Sequence, residues 1–95
     1  MALPIRFSPE SEETFELVIH QLHQRWGEKF VVKFKAKTIK SLKTISNNPY
    51  MYALADLDRD IRKCVLHSNC SVFYKIQDQY IMILYFWDNR QASLL

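Results

Sequence analysis

The sequence predicts an α+β fold in the order β-α-α-β-β-β, with a helical hairpin packed on a small, mainly antiparallel, twisted sheet. Three features predict it: two successive stretches with apolar residues at helical spacing, apolar strands separated by short polar breaks near the C-terminus, and one short apolar segment before the first helix. The chain has 95 residues, of which 48% are hydrophobic. This is enough for one modest core and too little for two. We therefore expect a single domain over residues 1–95.

The first strand and the first helix follow from the N-terminal residues. Residues 5–7 form a short apolar segment, and Ser8 then offers a hydroxyl to cap a helix whose first position is Pro9. Acids in the next turn favour the positive end of the helix dipole. One face of this helix carries an apolar stripe, which consists of Phe15, Val18, Ile19, Leu22 and Trp26. The helix should end at Gly27.

A second amphipathic helix is predicted from Glu28 to about Ser46. Its apolar side contains Phe30, Val31, Phe34, Thr38, Leu42 and Ile45. Its basic side contains Lys29, Lys33, Lys37, Lys40 and Lys43. Asn48 and Pro49 should stop it, because the residue before a proline resists helix. The basic side has two interpretations, which are a phosphate-binding surface and an ordinary solvated helix face.

The rest of the chain predicts a loop and three strands. Residues 50–60 are expected to form a loop that connects the second helix to three strands, which are Ile61–Leu66, Ser71–Ile76 and Tyr80–Asp88. The short N-terminal strand at residues 5–7 should pair with the sheet that they form. Simple alternation puts Ile81, Ile83, Tyr85 and Trp87 on one face of the last strand, against Met82, Leu84 and Phe86 on the other. Apolar residues on both faces indicate either a fully buried central strand or a surface covered by a partner or by a second copy in a homodimer.

The ordered motifs resemble the RelE/ParE superfamily of small toxins from bacterial toxin–antitoxin operons. They comprise a Trp-Gly turn in residues 25–29, the Asn-Pro helix stop, an arginine at position 62 in the next strand, a tyrosine at position 74, and an Asp-x-Arg-Gln tail at residues 88–91. The resemblance covers nearly the whole chain. It implies a cognate antitoxin as partner and two alternative targets.

The ParE-like branch is similar to proteins that poison DNA gyrase by binding. The RelE-like branch is similar to ribosome-dependent endoribonucleases that cleave mRNA, for which Arg62, Lys63 and Arg90 would be the catalytic candidates that hold phosphate. The arginine usual at the start of the third strand of the chain is replaced by Ser71, and no tyrosine follows Arg90. These two departures favour the ParE-like, non-enzymatic branch. A third reading is a non-toxic remnant that only binds antitoxin.

The resemblance also implies which residues contact partners. The expected binding residues are Arg62, Tyr74, Trp87, Asp88 and Arg90. Arg90, beside Asp88 at a strand exit, is either the functional cation of the family or one half of an ion pair within the chain. For the ParE-like branch this surface would bind gyrase, and for the RelE-like branch it would bind the ribosome and mRNA.

Several kinds of site are not expected. Gly27 is the one glycine, so the chain has no glycine-rich phosphate loop, and no cofactor is expected. The N-terminus lacks the apolar core of a secretory signal, and no window is long and apolar enough for a membrane span. We therefore expect a cytoplasmic protein that does not contact a membrane.

The histidines and cysteines have ordinary explanations. His20 and His23 lie three residues apart on a helix without a matching acid or cysteine motif, and solvent exposure explains them better than a metal. Cys64, His67 and Cys70 would give three ligands where a structural zinc site needs four. We expect no metal and two reduced thiols.

Overall fold

The computed structural model describes residues 2–68 and 70–89. Two helices pack on one face of a five-stranded sheet, which confirms the predicted α+β class. The elements in chain order are β1 (Ile5–Phe7), α1 (Pro9–Trp26), α2 (Glu28–Asn47), β2 (Leu54–Asp56), β3 (Ile61–His67), β4 (Cys70–Ile76) and β5 (Ile81–Asp88). The strand order is β1-β5-β4-β3-β2. Neither helix of the described residues is long and apolar enough to span a membrane.

The sheet is mixed. β1 pairs with β5 in parallel, as expected for a first strand that joins the sheet, and the other pairs are antiparallel. The segment predicted as a plain loop contains the additional edge strand β2. Its Leu-Ala-Asp sequence has weak strand preference, and pairing with β3 supplies what local propensity does not.

Helix α1 begins and ends where the sequence predicts. Ser8 caps it by accepting a hydrogen bond from the backbone N–H of Ser11 at 3.0 Å. Gly27 ends it with a φ of 84°, a conformation that favours glycine. The apolar stripe buries Val18, but its last member, Trp26, is 43% exposed. The indole lies at the turn between the helices and packs on Phe30, 4.9 Å between ring centroids, instead of entering the core.

Helix α2 buries its predicted apolar side and leaves its lysine side in solvent. Val31, Phe34, Thr38 and Ile45 are its buried residues. The end of α2 is tied to the N-terminal segment, because Ser46 donates its hydroxyl to the Leu3 carbonyl at 2.6 Å. The helical hairpin therefore covers one face of the sheet, called here the covered face; the other is called the open face.

A β-bulge in β5 changes the predicted faces of that strand. Phe73 pairs with Tyr85 while Tyr74 pairs with Ile83, so Leu84 is the extra residue. The strict alternation predicted for β5 is therefore wrong beyond Leu84. Tyr85 and Trp87 belong to the open face with Leu84, whereas Phe86 joins Ile81 and Ile83 in the core against the helices.

The open face of β5 is not fully buried. Ile61, Phe73 and Tyr85 form a small buried cluster there, against which Leu84 and Trp87 are partly buried. The interpretation of β5 as a fully buried central strand therefore does not hold on this side.

The N-terminus of α1 supplies the hydrogen bonds that the bulge disrupts. Ser8 donates its hydroxyl to the Leu84 carbonyl at 2.7 Å and its backbone N–H to the Ile83 carbonyl at 3.1 Å. Phe86 donates its backbone N–H to Thr14 Oγ1 at 2.9 Å. Since buried backbone groups need partners, α1 stabilises the bulge and thereby the positions of Tyr85 and Trp87.

Substitution of Thr14 tests this role. Thr14→Val keeps the side-chain shape but leaves the Phe86 N–H without its acceptor, so we expect the free energy of unfolding to fall by about 1–2 kcal/mol. The matched control is Thr44→Val, because Thr44 Oγ1 bonds only the Lys40 carbonyl of its own helix, at 3.2 Å, among the described residues. Urea denaturation measures both, and equal losses in the two variants would contradict a special role for Thr14.

Candidate functional site

The open face carries basic side chains on β1, β3 and β4. One row runs from Arg6 in β1 through Met82 in β5, Lys75 in β4 and Ile61 in β3 to Asp56 in β2. Residues paired across neighbouring strands point to the same face. The row therefore places two cations on the open face, and the Arg6 guanidinium also lies over the Tyr80 ring, 4.5 Å from its centroid.

The next row adds stacked aromatic rings and a third cation. Tyr85 pairs with Phe73, and Phe73 pairs with Lys63. The rings of Phe73 and Tyr85 stack with centroids 4.9 Å apart, and Lys63 Nζ lies 5.8 Å from the Phe73 centroid. A further row pairs Trp87 with Ser71.

Positive charge exceeds negative charge on these rows. β1, β3, β4 and β5 contain one acid, Asp88, which pairs with the core residue Cys70 and is 9% exposed. The first row ends in β2 with Asp56, whose carboxylate forms an ion pair with Arg59 at 2.9 Å. The cations Arg6, Lys63 and Lys75 therefore make this face suited to phosphate or to an acidic protein surface.

Three solved structures superpose on nearly the whole chain. A chain of the chromosomal ParDE toxin–antitoxin system from Pseudomonas aeruginosa matches with a TM-score of 0.77 at 10% identity, covering 92% of this chain and 96% of that chain. The Escherichia coli DinJ–YafQ toxin–antitoxin complex gives 0.64 at 12% identity, covering 95% and 96%. The YoeB dimer from Staphylococcus aureus gives 0.63 at 18% identity, covering 92% and 97%. ParE, YafQ and YoeB are toxins of the RelE/ParE superfamily.

This chain has the RelE/ParE-like toxin fold. The identities are low, so the likeness concerns the fold and confirms the resemblance at that level. No protein-family model matches the sequence, and no curated protein sequence matches it either.

Within the RelE/ParE-like fold, Arg62 lies on the covered side and holds a loop. Its guanidinium donates to the Tyr52 carbonyl at 2.6 Å, reaches the Tyr50 carbonyl at 3.5 Å, and lies 5.0 Å from the centroid of the Tyr50 ring. Lys63 points the opposite way because neighbouring strand residues alternate. The structure therefore does not bring Arg62 and Lys63 together on one surface.

Tyr74 is a core residue. It is 0% exposed, and its hydroxyl donates to the Pro49 carbonyl at 2.7 Å. Burial raises the pKa of Tyr74, while the nearby Arg62 opposes that shift to a smaller extent. The side chain therefore reaches a loop carbonyl and not the surface, and a contact of Tyr74 with a partner stays a prediction.

The other predicted residues divide between the faces. Trp87 is on the open face, and its indole N–H is buried without a hydrogen-bond partner among the described residues. Asp88 lies on the covered side, paired with Cys70. Burial is the main cause that raises the pKa of Cys70 to about 12, and the Asp88 carboxylate is the second. Arg90 lies outside the described residues.

The described open-face rows offer little for proton transfer. They contain no histidine, and their one carboxylate, Asp56, forms an ion pair with Arg59 at 2.9 Å. Burial is the main cause that raises the pKa of Tyr85. A phenol with a raised pKa stays protonated near neutral pH. His67 is directed elsewhere and packs edge-on against Phe30 at 5.2 Å.

Residues 2–68 and 70–89 contain no group of three or more side chains that could hold a metal ion. His23 contacts Glu28 at 3.2 Å. Cys64 and Cys70 are buried and are not disulfide-bonded. Burial raises the pKa of both thiols, so neither is an activated nucleophile.

Sequence reasoning did not name Arg6, Asp56, Phe73, Lys75 or Tyr85 as members of this face. Alternation along β4 would have grouped Phe73 with Lys75. Arg6 and Tyr85 required knowledge of the parallel β1–β5 register and of the bulge.

Proposed function

We propose that this chain is the toxin of a type II toxin–antitoxin system, neutralised by a cognate antitoxin, and that it acts ParE-like by binding DNA gyrase. The fold supports the assignment as a toxin, since solved structures with this fold come from the ParDE and DinJ–YafQ toxin–antitoxin systems. The open face is the proposed target-binding surface. Its proposed contacts are Lys63, Lys75 and Trp87 among the described residues, together with Arg90. The site of action would be the bacterial cytoplasm.

The single observation that carries binding over cleavage is the chemistry of the open face. Its described rows combine cations with aromatic rings and contain no histidine, and their one carboxylate, Asp56, is paired with Arg59 at 2.9 Å. General acid–base catalysis needs a free acid or base within reach of the scissile phosphate. Arg62, a candidate phosphate ligand, has its guanidinium engaged by loop carbonyls.

A ribosome-dependent endoribonuclease is the second candidate. It is favoured by Lys63 and Lys75 lying on one face, because lysines neutralise phosphates. In that case Lys63 and Arg90 would hold phosphate. The third candidate function is binding of an antitoxin by a chain that is not itself toxic.

Pulse labelling of DNA and protein synthesis distinguishes these functions. The full chain is induced in a bacterial host without its antitoxin, and thymidine and methionine incorporation are followed from the first minutes. We expect DNA synthesis to fail first, and the purified chain to inhibit supercoiling by gyrase. Earlier failure of protein synthesis with mRNA cut on the ribosome would overturn the gyrase target, and unaffected synthesis of both would overturn the toxin function.

A further inference from the structure

The side of α2 that faces away from the sheet carries a row of five lysines. These residues, called here the lysine side, are Lys29, Lys33, Lys37, Lys40 and Lys43, and all of them are exposed. The buried residues of the helix, among them Val31, Phe34 and Ile45, occupy the opposite side. From the first lysine to the last the helix rises by about 21 Å. The row of cations therefore follows most of the length of α2.

Helix α2 carries more positive charge than the whole chain does. It contains six of the 13 basic residues and one acid, Glu28, so its net charge is +5, whereas the net charge of the chain is +3. The other elements together are therefore negative by two charges. A concentration of one sign on one side of a small protein produces a directed potential that attracts anions.

The charge of the lysine side is not neutralised by the rest of the protein. Neither of the two ion pairs among the described residues involves one of its five ammonium groups. The acids of α1 lie elsewhere, because Glu12 and Glu16 line the depressions between the two helices. The lysine that lies beside them is Lys35, on a different side of α2. The five cations of the lysine side are therefore available to a partner.

This arrangement lowers the stability of the helix itself. Lys33 has a like charge four residues away in both directions, at Lys29 and Lys37, and such pairs are unfavourable. Lys29 also lies in the first turn, where the helix dipole disfavours a cation. An ordinary solvated surface mixes both signs of charge. Solvation alone therefore does not explain the lysine side, whereas the binding of an anion does.

The residues between the lysines indicate the kind of anion. Ala36 and Thr44 share this side of the helix, and the Thr44 hydroxyl donates to the Lys40 carbonyl at 3.2 Å. Neither side chain can read a base edge through paired hydrogen bonds or stack on an unpaired base. Lysine binds phosphate as a point charge, and duplex DNA presents one negative charge for about every 1.7 Å of its axis. A straight row of lysines without aromatic rings therefore fits the backbone of a duplex better than a single strand.

We propose that the lysine side of α2 binds the phosphate backbone of double-stranded DNA independently of its sequence. The helices lie on the covered face of the sheet, so the lysine side and the open face point in opposite directions. The choice of DNA over RNA rests on the proposed function, under which the target is an enzyme that acts on DNA. The open face then contacts gyrase while the lysine side contacts DNA that the enzyme holds.

Fluorescence anisotropy of a labelled DNA duplex, titrated with the purified full chain at several salt concentrations, measures this binding. We expect the logarithm of the binding constant to fall with the logarithm of salt concentration with a slope of about −3.6 to −4.5, as four or five neutralised phosphates require. Two duplexes of unrelated sequence should bind equally. A slope near zero, or tighter binding to an RNA duplex of the same length, would overturn the inference.

Charge reversal at one position locates the binding surface. We expect Lys33→Glu to weaken DNA binding by roughly tenfold or more, because it replaces a phosphate contact by a repulsion. Lys35→Glu is the matched control, since Lys35 is also exposed on α2, lies outside the lysine side, and gives the same net charge when reversed. Lys33→Glu should fold at least as stably as the unmodified chain in urea denaturation, because its glutamate faces Lys29 and Lys37. Equal DNA binding by the two variants would overturn the inference.

These measurements do not depend on toxicity or on gyrase. If the chain binds the duplex through the lysine side but leaves supercoiling by gyrase unaffected, the DNA-binding surface is supported and gyrase is overturned as the target. If the chain inhibits gyrase but does not bind the duplex, the DNA-binding surface is overturned and the gyrase target is retained.

Discussion

We expect Arg62→Ala to lower the free energy of unfolding by about 2–3 kcal/mol, since hydrogen bonds from a charged group and a cation–π contact are lost together. The Arg62 guanidinium is a half-buried anchor for the loop after α2, through the Tyr52 carbonyl and the Tyr50 ring. Tyr74 holds the same loop through Pro49. Urea denaturation monitored by far-UV circular dichroism measures the loss.

Arg59→Ala is the control for this substitution. The Arg59 side chain is 68% exposed and pairs with Asp56 at 2.9 Å. An exposed pair of this kind contributes about 0–1 kcal/mol. If Arg62→Ala destabilised the chain no more than Arg59→Ala while abolishing toxicity, Arg62 would be a functional ligand and not an anchor.

The second large effect is expected from charge reversal on the open face. Lys63→Glu combined with Lys75→Glu replaces two cations of neighbouring strands by two acids. Repulsion of an acidic or phosphate-bearing target should raise the expression level needed for growth arrest by roughly tenfold or more. Colony counts over an inducer series, with the amount of folded chain measured by immunoblot, quantify the change.

Lys35→Glu provides the comparison, because Lys35 is exposed on α2 and belongs neither to the open face nor to the lysine side. It should leave toxicity unchanged. Toxicity of the open-face double variant at the level of Lys35→Glu would exclude the open face as the target-binding surface under either proposed target.

Local chemistry explains which elements could be predicted. A hydroxyl at Ser8, a proline at position 9 and a glycine at position 27 determine helix ends by short-range interactions, and the structure has both ends there. The three C-terminal strands agree within one residue at each end. β2 was missed because three residues with weak strand preference become a strand only when β3 is beside them.

The candidate site was predictable only in part, for a related reason. Lys63 and Trp87 were named from motifs and do lie on the open face. Arg62 and Tyr74 came from the same motifs but have their polar groups engaged by loop carbonyls, a contact between segments more than nine residues apart. Sequence spacing gives no sign of such contacts.

By itself the sequence determined the helical hairpin, the α+β class, the meander and the superfamily resemblance, because capping, periodicity and turn residues act within a few positions. Tertiary structure determined which face of the sheet each side chain of β1 and β5 occupies. The bulge at Leu84, stabilised by Ser8 and Thr14 from α1, turns Tyr85 and Trp87 to the open face, and the parallel pairing of β1 brings Arg6 to the same surface. Both depend on hydrogen bonds between segments more than 70 residues apart, which form only when the chain is folded.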